Sequence, residues 1–383
     1  MSPKILHIVG DSKYGGGSVL IERLADRAMD CGYEVSVLTT DGIFKDRLKS
    51  VGVDVVDMDC IWRPIRPLRD LVGCARLCRY LHKNCYDIVH THTSKAGFVG
   101  RLAARVVGVP IIIHTVHGFS FHEQSSKLTL QAYSFLERIA AYLCDAIVTV
   151  SFFHCDQAKQ LKIGNHNTRV AIPNGINPDR VKPTKCPKIV RAAIGVENDE
   201  IMCLSTGRLA RQKGFDLLIH ALKKIPLQKK IKVVIAGDGE LGSDLKNLVI
   251  SLNLQGRVLF LGFRSDLADL LHSADLVALP SRWEGLSISL LEAMAAGKAI
   301  ITSDISSNLE VTRNGKVAKI VHAGNSDELA DVILDLISDK YEIQHLGRAA
   351  LEQFQHDYTE DLMLRRYMDL YNRLLREKSN FYF

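Results

Sequence analysis

Short apolar runs alternate with amphipathic stretches from one end of the chain to the other. In the first half the runs are Ile5–Val9, Glu34–Leu38, Val53–Asp57, Ile88–His90, Ile111–His114 and Ala146–Val150. The series restarts at Met202–Ser205 and returns at Val233–Ala236, Val258–Leu261, Leu276–Leu279, Ala299–Thr302 and Lys319–Val321. Continuous apolar strands separated by helical patterns predict parallel sheets covered on both faces. Between the two series, Pro173-Asn174-Gly175-Ile176-Asn177-Pro178, then Pro183 and Pro187, interrupt any regular element and mark a boundary. The expected fold class is α/β: two doubly wound, Rossmann-like domains over residues 1–175 and 176–360, facing across a cleft. Ligands are expected at the carboxyl ends of the strands. From Asp327 onward the pattern is helical, and the halves share no residue-level repeat.

A chain of 383 residues is long enough for two cores. With 47% hydrophobic and 24% charged residues it reads as globular, which excludes a disordered or fibrous protein. The net charge of +6 is uneven: residues 1–180 carry 22 Lys and Arg against 17 Asp and Glu. That surplus suits an anionic membrane face, an anionic substrate or nucleic acid, and charge alone does not choose. The nine cysteines are scattered without zinc-site spacing, as for small buried hydrophobes in a reducing compartment. Met1-Ser2-Pro3-Lys4 and the short run behind it read as a first strand, too brief for a signal peptide. The most apolar stretch, Ile139–Phe153, is broken by Asp145 and is too short to span a bilayer. The expected location is the cytoplasm, or the cytoplasmic membrane face without crossing it.

Four constellations carry chemistry. Gly15-Gly16-Gly17 follows the first strand and opens a helix, which lets backbone amides approach an anion; a plain flexible turn fits equally well. Gly207-Arg208-Leu209-Ala210-Arg211-Gln212-Lys213-Gly214 follows the first strand of the second series. There Arg208 can fork two phosphate oxygens while Lys213 adds a compact charge, a set suited to a diphosphate; the alternative is a solvated basic loop. Gly237-Asp238-Gly239-Glu240-Leu241-Gly242 matches the dinucleotide fingerprint, but it follows the second strand of its domain. The next strand then ends in Gly262-Phe263-Arg264, with no acidic ribose partner. A nicotinamide-dependent oxidoreductase is therefore a remote alternative.

The most specific segment runs from Ser281-Arg282-Trp283-Glu284-Gly285-Leu286-Ser287 to Leu291-Glu292 and on to Gly297. A polar turn carries Glu284, Ser287 can cap a helix, and Glu292 lies one to two turns inside it. The amides of Gly285, Leu286 and Ser287 then stand at a positive helix end, and a carboxylate accepts two hydroxyls of a vicinal diol well. An ordinary helix with two surface glutamates is the plainer alternative.

This segment, with Arg208 and Lys213 upstream and the glycine turn near the N-terminus, resembles glycosyltransferase family 4. The two glutamates match that family's E-x7-E pattern. His90-Thr91-His92-Thr93-Ser94-Lys95-Ala96-Gly97 and Thr115-Val116-His117-Gly118-Phe119-Ser120-Phe121-His122-Glu123 resemble members that build capsule, exopolysaccharide or lipopolysaccharide. The resemblance implies a GT-B fold, with a C-terminal helix over 361–383 packing back on the first domain. It also implies retaining transfer of a hexose or N-acetylhexosamine from a nucleotide sugar, a UDP-sugar by preference, to a lipid-linked, polyprenyl-phosphate type saccharide. Glu284 would hold donor-sugar hydroxyls, Glu292 the ribose, and Arg208 and Lys213 the diphosphate. Gly262, Phe263 and Arg264 would flank the base. Gly16, Gly17, Gly239, Gly285, Leu286 and Ser287 would line the donor, and His117 would face the reacting sugar. Gly15, Lys95 and His122 are the acceptor candidates. A third glycine and Ser18 stand where many members have Glu soon after the glycine pair, and Ser307-Asn308-Leu309-Glu310 lacks the usual proline.

No carboxylate stands out as a nucleophile, and stabilising a departing diphosphate is the main task. Asp57-Met58-Asp59 has D-x-D spacing yet ends an early strand, and reads as a surface pair. His90, His92, His114 and His117 lack a Cys or Asp to complete a metal set, so no metal or other cofactor is expected. Pro67–Lys83 reads as a helix with Arg69, Arg76, Arg79 and Lys83 on one side and Leu68, Leu71, Ala75, Cys78 and Leu81 on the other. Arg63 and Arg66 precede it. It is either a helix packed on the sheet or a dock for anionic lipid headgroups. A soluble transferase with a small acceptor shares every donor motif. Nucleic acid is not expected, because no aromatic stacking platform accompanies the basic half.

Overall fold

The computed structural model describes residues 2–10, 15–62, 66–119 and 126–379. Every apolar run of the first series forms a strand: β1 (Lys4–Gly10), β2 (Glu34–Thr39), β3 (Asp54–Val56), β4 (Ile88–His92), β5 (Ile111–Val116) and β6 (Ala146–Thr149). A seventh, β7 (Arg169–Ala171), escaped the pattern because three residues opened by an arginine make no apolar run. Between them lie α1 (Gly16–Asp30), α2 (Gly42–Ser50), α3 (Pro67–Asn84), α4 (Ser94–Val107), α5 (Lys127–Ala141) and α6 (Phe152–Gln160). The sheet is parallel throughout, in the order β3-β2-β1-β4-β5-β6-β7.

The second series holds α7 (Pro187–Ala193), β8 (Ile201–Thr206), α8 (Phe215–Lys224), β9 (Ile231–Ala236), α9 (Gly242–Ser251), β10 (Val258–Gly262) and α10 (Leu267–Ser273). It continues with β11 (Leu276–Leu279), α11 (Ile288–Ala295), β12 (Ala299–Ser303), α12 (Ser306–Val311), β13 (Lys319–Val321), α13 (Ser326–Ser338) and α14 (Lys340–Asp357). Its parallel sheet runs β10-β9-β8-β11-β12-β13. A last helix, α15 (Glu360–Ser379), follows. The chain divides into two compact units: Met1–Pro173 together with Met363–Phe383, and Asn174–Leu362.

In the first unit, strand alternation sorts side chains between two helical layers. Ile5, Val9, Val37, Ile88, Ile111, Ile113 and Val148 pack with α1, α2 and the buried Met363, Tyr367, Met368, Leu370, Tyr371 and Leu374 of α15. Leu6, Ile8, Leu38, Val89, Ile112 and Ile147 face the other way, toward Leu77 and Leu81 of α3 and Ala96, Val99, Ala103 and Ala104 of α4. Burying each such aliphatic side chain contributes about 1.5–3 kcal/mol. The α15 partnership joins segments hundreds of residues apart; Tyr33 Oη, for example, donates to Asn372 Oδ1 at 2.7 Å.

The expected orientation of α3 needs correction. Its buried positions are Gly73, Leu77 and Leu81, while Leu68, Leu71 and Val72 are exposed. Gly73 sets the rotation: a Cβ there would stand 2.0 Å from the Cys60 carbonyl oxygen, so the face of Gly73, Leu77 and Leu81 presses inward and Leu68 and Leu71 turn out. Arg63 lies outside the described residues.

In the second unit, Cys203, Phe215, Leu218, Val233, Ile235, Leu276, Ala278 and Ile301 form one side of the core with α8, α9 and α13. Where the chain enters and leaves this unit, Ile176 pairs with Thr359 in an isolated parallel bridge. No helix among the described residues is long and apolar enough to cross a membrane.

Candidate active site

Three loops meet at the carboxyl edge of the second sheet, because β9, β8 and β11 are neighbours there. The loop after β8 is tied to the loop after β9 by Gly207 N to Ala236 O (3.1 Å), Leu209 N to Asp238 O (2.9 Å) and Leu241 N to Leu209 O (2.9 Å). It is tied to the loop after β11 by Arg282 N to Gln212 O at 2.7 Å. Gly237 adopts φ +150°, and a Cβ on it would sit 1.9 Å from the Gly207 carbonyl oxygen. On Gly239 a Cβ would meet the Leu209 backbone at 2.6 Å. The fingerprint glycines thus let two loops pack backbone against backbone. This is a structural use of the pattern that needs no dinucleotide.

Those loops deliver Glu284 into a nest of donors. Its carboxylate accepts from Lys213 Nζ at 2.6 Å, Gln212 Nε2 at 2.8 Å and Ser281 Oγ at 2.9 Å, and its side chain is only 6% exposed. Lys213 therefore stands against Glu284 and still has two hydrogens to give, while Glu284 keeps about one of its four lone-pair sites. Arg282 forks onto Asp216 with bonds of 2.8 and 2.6 Å, which pins the loop after β11 to α8. Gln212, Arg282 and Asp216 drew no sequence argument. Their one signal is position: Gln212 shares the Arg211–Lys213 turn, and Arg282 sits two residues before Glu284.

Arg208 lies apart from that nest, 74% exposed and paired with Glu240 at 3.0 Å. A solvent-exposed pair of this kind is worth at most about 1 kcal/mol, so the guanidinium can leave Glu240 for another anion at little cost. Glu292 lies inside α11, whose N-cap Ser287 accepts from Leu290 N. Burial pushes the Glu292 carboxyl above its ordinary value, against the pull of Arg180 at 3.5 Å and of Lys213. Arg180, too, went unnoticed in the sequence, because it comes from the proline-rich boundary. Gly285 and the buried Leu286 lead into α11. At the end of β10, Gly262 has φ +66°; beyond it Phe263 is 83% exposed, and Arg264 forks onto Asp266 at 2.7 and 2.6 Å.

In the first unit, Gly15 caps α1, with Gly16 and Gly17 in its first turn. Beside them is a cavity of about 60 Å³ lined by Val9, Gly15, Gly17, Ser18, Ile21, His92, Thr93 and His117. Lys95, in the first turn of α4, is engaged with Asp70 of α3 at 2.7 Å. His122 lies outside the described residues.

Alternation also collects histidines. His7 of β1 stands beside His90 of β4 in register, and both face α15. His90 Nδ1 meets Tyr371 Oη at 2.6 Å and its Nε2 meets Thr115 Oγ1 at 2.7 Å. His7 Nδ1 meets His92 Nε2 at 3.0 Å, and His92 Nδ1 meets His117 Nε2 at 3.2 Å. On the opposite face His114 Nδ1 meets Thr91 Oγ1 at 2.9 Å. Burial pushes His7 down to about 3 and His117 to about 4. His90, His92 and His114 fall well below the ordinary histidine value, by burial first and then by neighbouring positive charge. His7, absent from the sequence argument, completes a group with His90 and His92 whose ring nitrogens lie within 4.8 Å of one another. Such nitrogens could ligate a metal, but both of His90's are committed to hydroxyls. Asp57 of the D-x-D pair is exposed and binds Lys45 at 2.6 Å.

Two family models match the chain: one described as Glycosyltransferase Family 4 over residues 14–180, the other as Glycosyl transferases group 1 over residues 188–353. The chain is 33% identical over 287 residues to UDP-Gal:alpha-D-GlcNAc-diphosphoundecaprenol alpha-1,3-galactosyltransferase of Escherichia coli, covering 73% of each chain. It is 25% identical over 385 residues to N,N'-diacetylbacillosaminyl-diphospho-undecaprenol alpha-1,3-N-acetylgalactosaminyltransferase of Campylobacter jejuni, covering 96% of this chain and 99% of that one. The crystal structure of Anabaena HepE in complex with UDP-glucose has the same fold, with a TM-score of 0.83 at 24% identity over 97% and 99% of the two chains.

Proposed function

Because the chain belongs to glycosyltransferase family 4 and is a nucleotide-sugar-dependent hexosyltransferase of the GT-B fold, we propose that it moves a hexose or N-acetylhexosamine from a UDP-sugar to a lipid-linked saccharide, with retention. The observation that carries the donor side is the half-buried Lys213–Glu284 pair, held by Gln212 and Ser281 within one loop junction. Glu284 takes a sugar hydroxyl on its remaining lone pair, and Glu292 takes the ribose. The spare hydrogens of Lys213 and the exchangeable guanidinium of Arg208 offset negative charge growing on the leaving diphosphate. The exposed Phe263 offers a stacking face to the base, with Gly262 and Arg264 beside it. As the sugar C1–O bond to the diphosphate breaks, a C1–O bond to the acceptor forms on the same face. The acceptor hydroxyl's proton passes to the leaving phosphate oxygen. Lys213 and Arg208 supply the positive charge a divalent ion would otherwise bring, so no metal is required. The two relatives named above make α linkages to undecaprenol-linked sugars, which supports the lipid-linked acceptor, and the name of the Escherichia coli relative gives UDP-Gal as its donor, which supports the UDP-sugar.

The acceptor's lipid calls for membrane contact. Helix α3 exposes Leu68, Leu71 and Val72 beside Arg69, Arg76 and Arg79, the combination an anionic interface takes up. Calorimetry with UDP and GDP, without added metal, tests the donor. Tight binding of UDP that is weakened by Arg208→Ala is the expected result, and indifference to both nucleotides refutes the reading. Transfer to an undecaprenyl-diphosphate-linked N-acetylhexosamine in anionic vesicles, compared with a free sugar, tests the acceptor. Transfer to the free sugar alone assigns a soluble small-acceptor enzyme.

A further inference from the structure

Three imidazoles form one hydrogen-bonded line inside the first unit. It starts at His7 in β1, passes through His92 at the end of β4, and ends at His117, which lines the 60 Å³ cavity beside α1. His117 Nδ1 is the ring nitrogen on the glycine side: a Cβ on Gly17 would lie 4.0 Å from it. Among the described residues His7 Nε2 is buried without a partner.

A neutral imidazole has one N–H and one lone pair, so a line of three has two polarities. Outward, His7 Nδ1–H donates to His92 Nε2, and His92 Nδ1–H donates to His117 Nε2. His117 then carries its hydrogen on Nδ1. Inward, every hydrogen shifts to the other nitrogen, and His7 Nε2 becomes a buried N–H with nothing to donate to. Orphaned buried N–H groups are rarer than under-used acceptors, so the unpartnered atom selects the outward polarity.

We propose that His7 and His92 are positioning residues that lock His117 in the Nδ1–H tautomer, making it a hydrogen-bond donor to a ligand oxygen in this cavity and not a base. The proposal rests on the reading that His117 faces the reacting sugar. Its donor role agrees with the backbone amides of the α1 N-terminus on the same cavity, since both suit a hydroxyl or phosphate oxygen. The lock requires neutral rings, because an imidazolium would donate from both nitrogens. Burial provides this by holding His7 and His117 far below neutrality, at about 3 and about 4. His90 lies tilted beside His7 and stays outside the line, its nitrogens taken by Tyr371 and Thr115.

The test is ¹⁵N NMR of the full chain labelled at histidine, at pH 7.5, with His117→Gln used for assignment. The expected spectrum has a protonated Nδ1 and a bare Nε2 at His117; the reverse pattern overturns the proposal whatever the activity. His7→Leu removes the first donor and is expected to mix the tautomers. His7→Asn, whose carboxamide N–H can stand where Nδ1–H does, is expected to restore one. A single unchanged tautomer in His7→Leu overturns the role of His7. If that variant does not fold, the wild-type spectrum and His7→Asn still decide. In transfer assays His7→Leu is expected to lower kcat by about twofold, the loss when two tautomers are equally populated, with donor KM unchanged and recovery in His7→Asn. Mixed tautomers with unchanged kcat would uphold the lock and refute the placement of His117 at the sugar.

Discussion

Mild acid will unfold the first unit before the second. His7 and His154 are both buried, and burial holds them at about 3 and about 4. An unfolded chain binds their protons from about pH 6.5 downward, whereas the folded chain binds them only near those lowered values. Their contribution is therefore complete above pH 6.5 and is lost as pH falls from there toward 4 and 3. At pH 5.5 each costs about 1.4 kcal/mol relative to pH 7.5, so the pair costs about 2.8 kcal/mol. His90, His92, His114 and His117 are depressed as well and add to the loss. Against a typical domain stability of about 5–15 kcal/mol this is a large fraction. The second unit has opposing groups: His272 is lowered, while Glu292 and His322 are raised and gain stability as pH falls. The assay is hydrogen exchange by mass spectrometry along a urea series at pH 7.5 and 5.5, with rates corrected for intrinsic pH dependence. Peptides from β4 and β5 are expected to lose roughly 1–2 M in urea midpoint, and those from β8 and β9 much less. Ordinary carboxylates titrate below this window and do not mimic the effect. Equal midpoints at the two pH values for β4 and β5 would refute the reasoning.

Other perturbations separate the remaining contributions. Gly237→Ala sets a Cβ on the Gly207 carbonyl oxygen and is expected to destabilise the second unit by about 2–4 kcal/mol, read as a lower urea midpoint for β8 and β9 only. Lys213→Met leaves the Glu284 carboxylate without its cation. A loss of about 3 kcal/mol or more is expected, together with loss of nucleotide-sugar turnover, whereas Lys213→Arg keeps more of the stability. Tyr371→Phe strips His90 Nδ1 of its hydroxyl partner and is expected to cost about 1–3 kcal/mol in thermal or urea unfolding of the first unit. Leu71→Glu, on the exposed side of α3, is expected to leave folding unchanged and to weaken cosedimentation with anionic vesicles; undiminished binding would remove α3 from the proposed membrane contact.

The parallel sheets were legible because strands buried on both faces must be apolar throughout, and twelve runs announced twelve strands. β7 was not, since an edge strand of three residues starting with Arg169 needs little apolar character. The orientation of α3 was misjudged because periodicity counts leucines and cannot weigh a glycine pressed against a carbonyl. In the donor region the sequence named Lys213, Glu284 and Glu292, but it assigned each to the ligand. Their contacts with each other's loops, and with Gln212 and Arg180, are tertiary and leave no spacing to read. The histidine line was partly visible: the sequence grouped His92 and His117, together with His90 and His114, which stand outside the line. His7 joins them only through strand pairing across 83 residues or more.

The position of α15 in the chain sets an order of events during synthesis. Met363 leaves the ribosome about 190 residues after Pro173, a delay of roughly 10–40 s at ordinary translation rates. Throughout that delay the face of Ile5, Ile88, Ile113 and Val148, with its histidines, has no Tyr367, Tyr371 or Leu374 to cover it. The unit translated first is thus the last to be finished, while Asn174–Leu362 can complete its own core in the meantime. For those seconds the nascent first sheet is a natural client for chaperones. A message truncated before codon 363 would leave it one permanently.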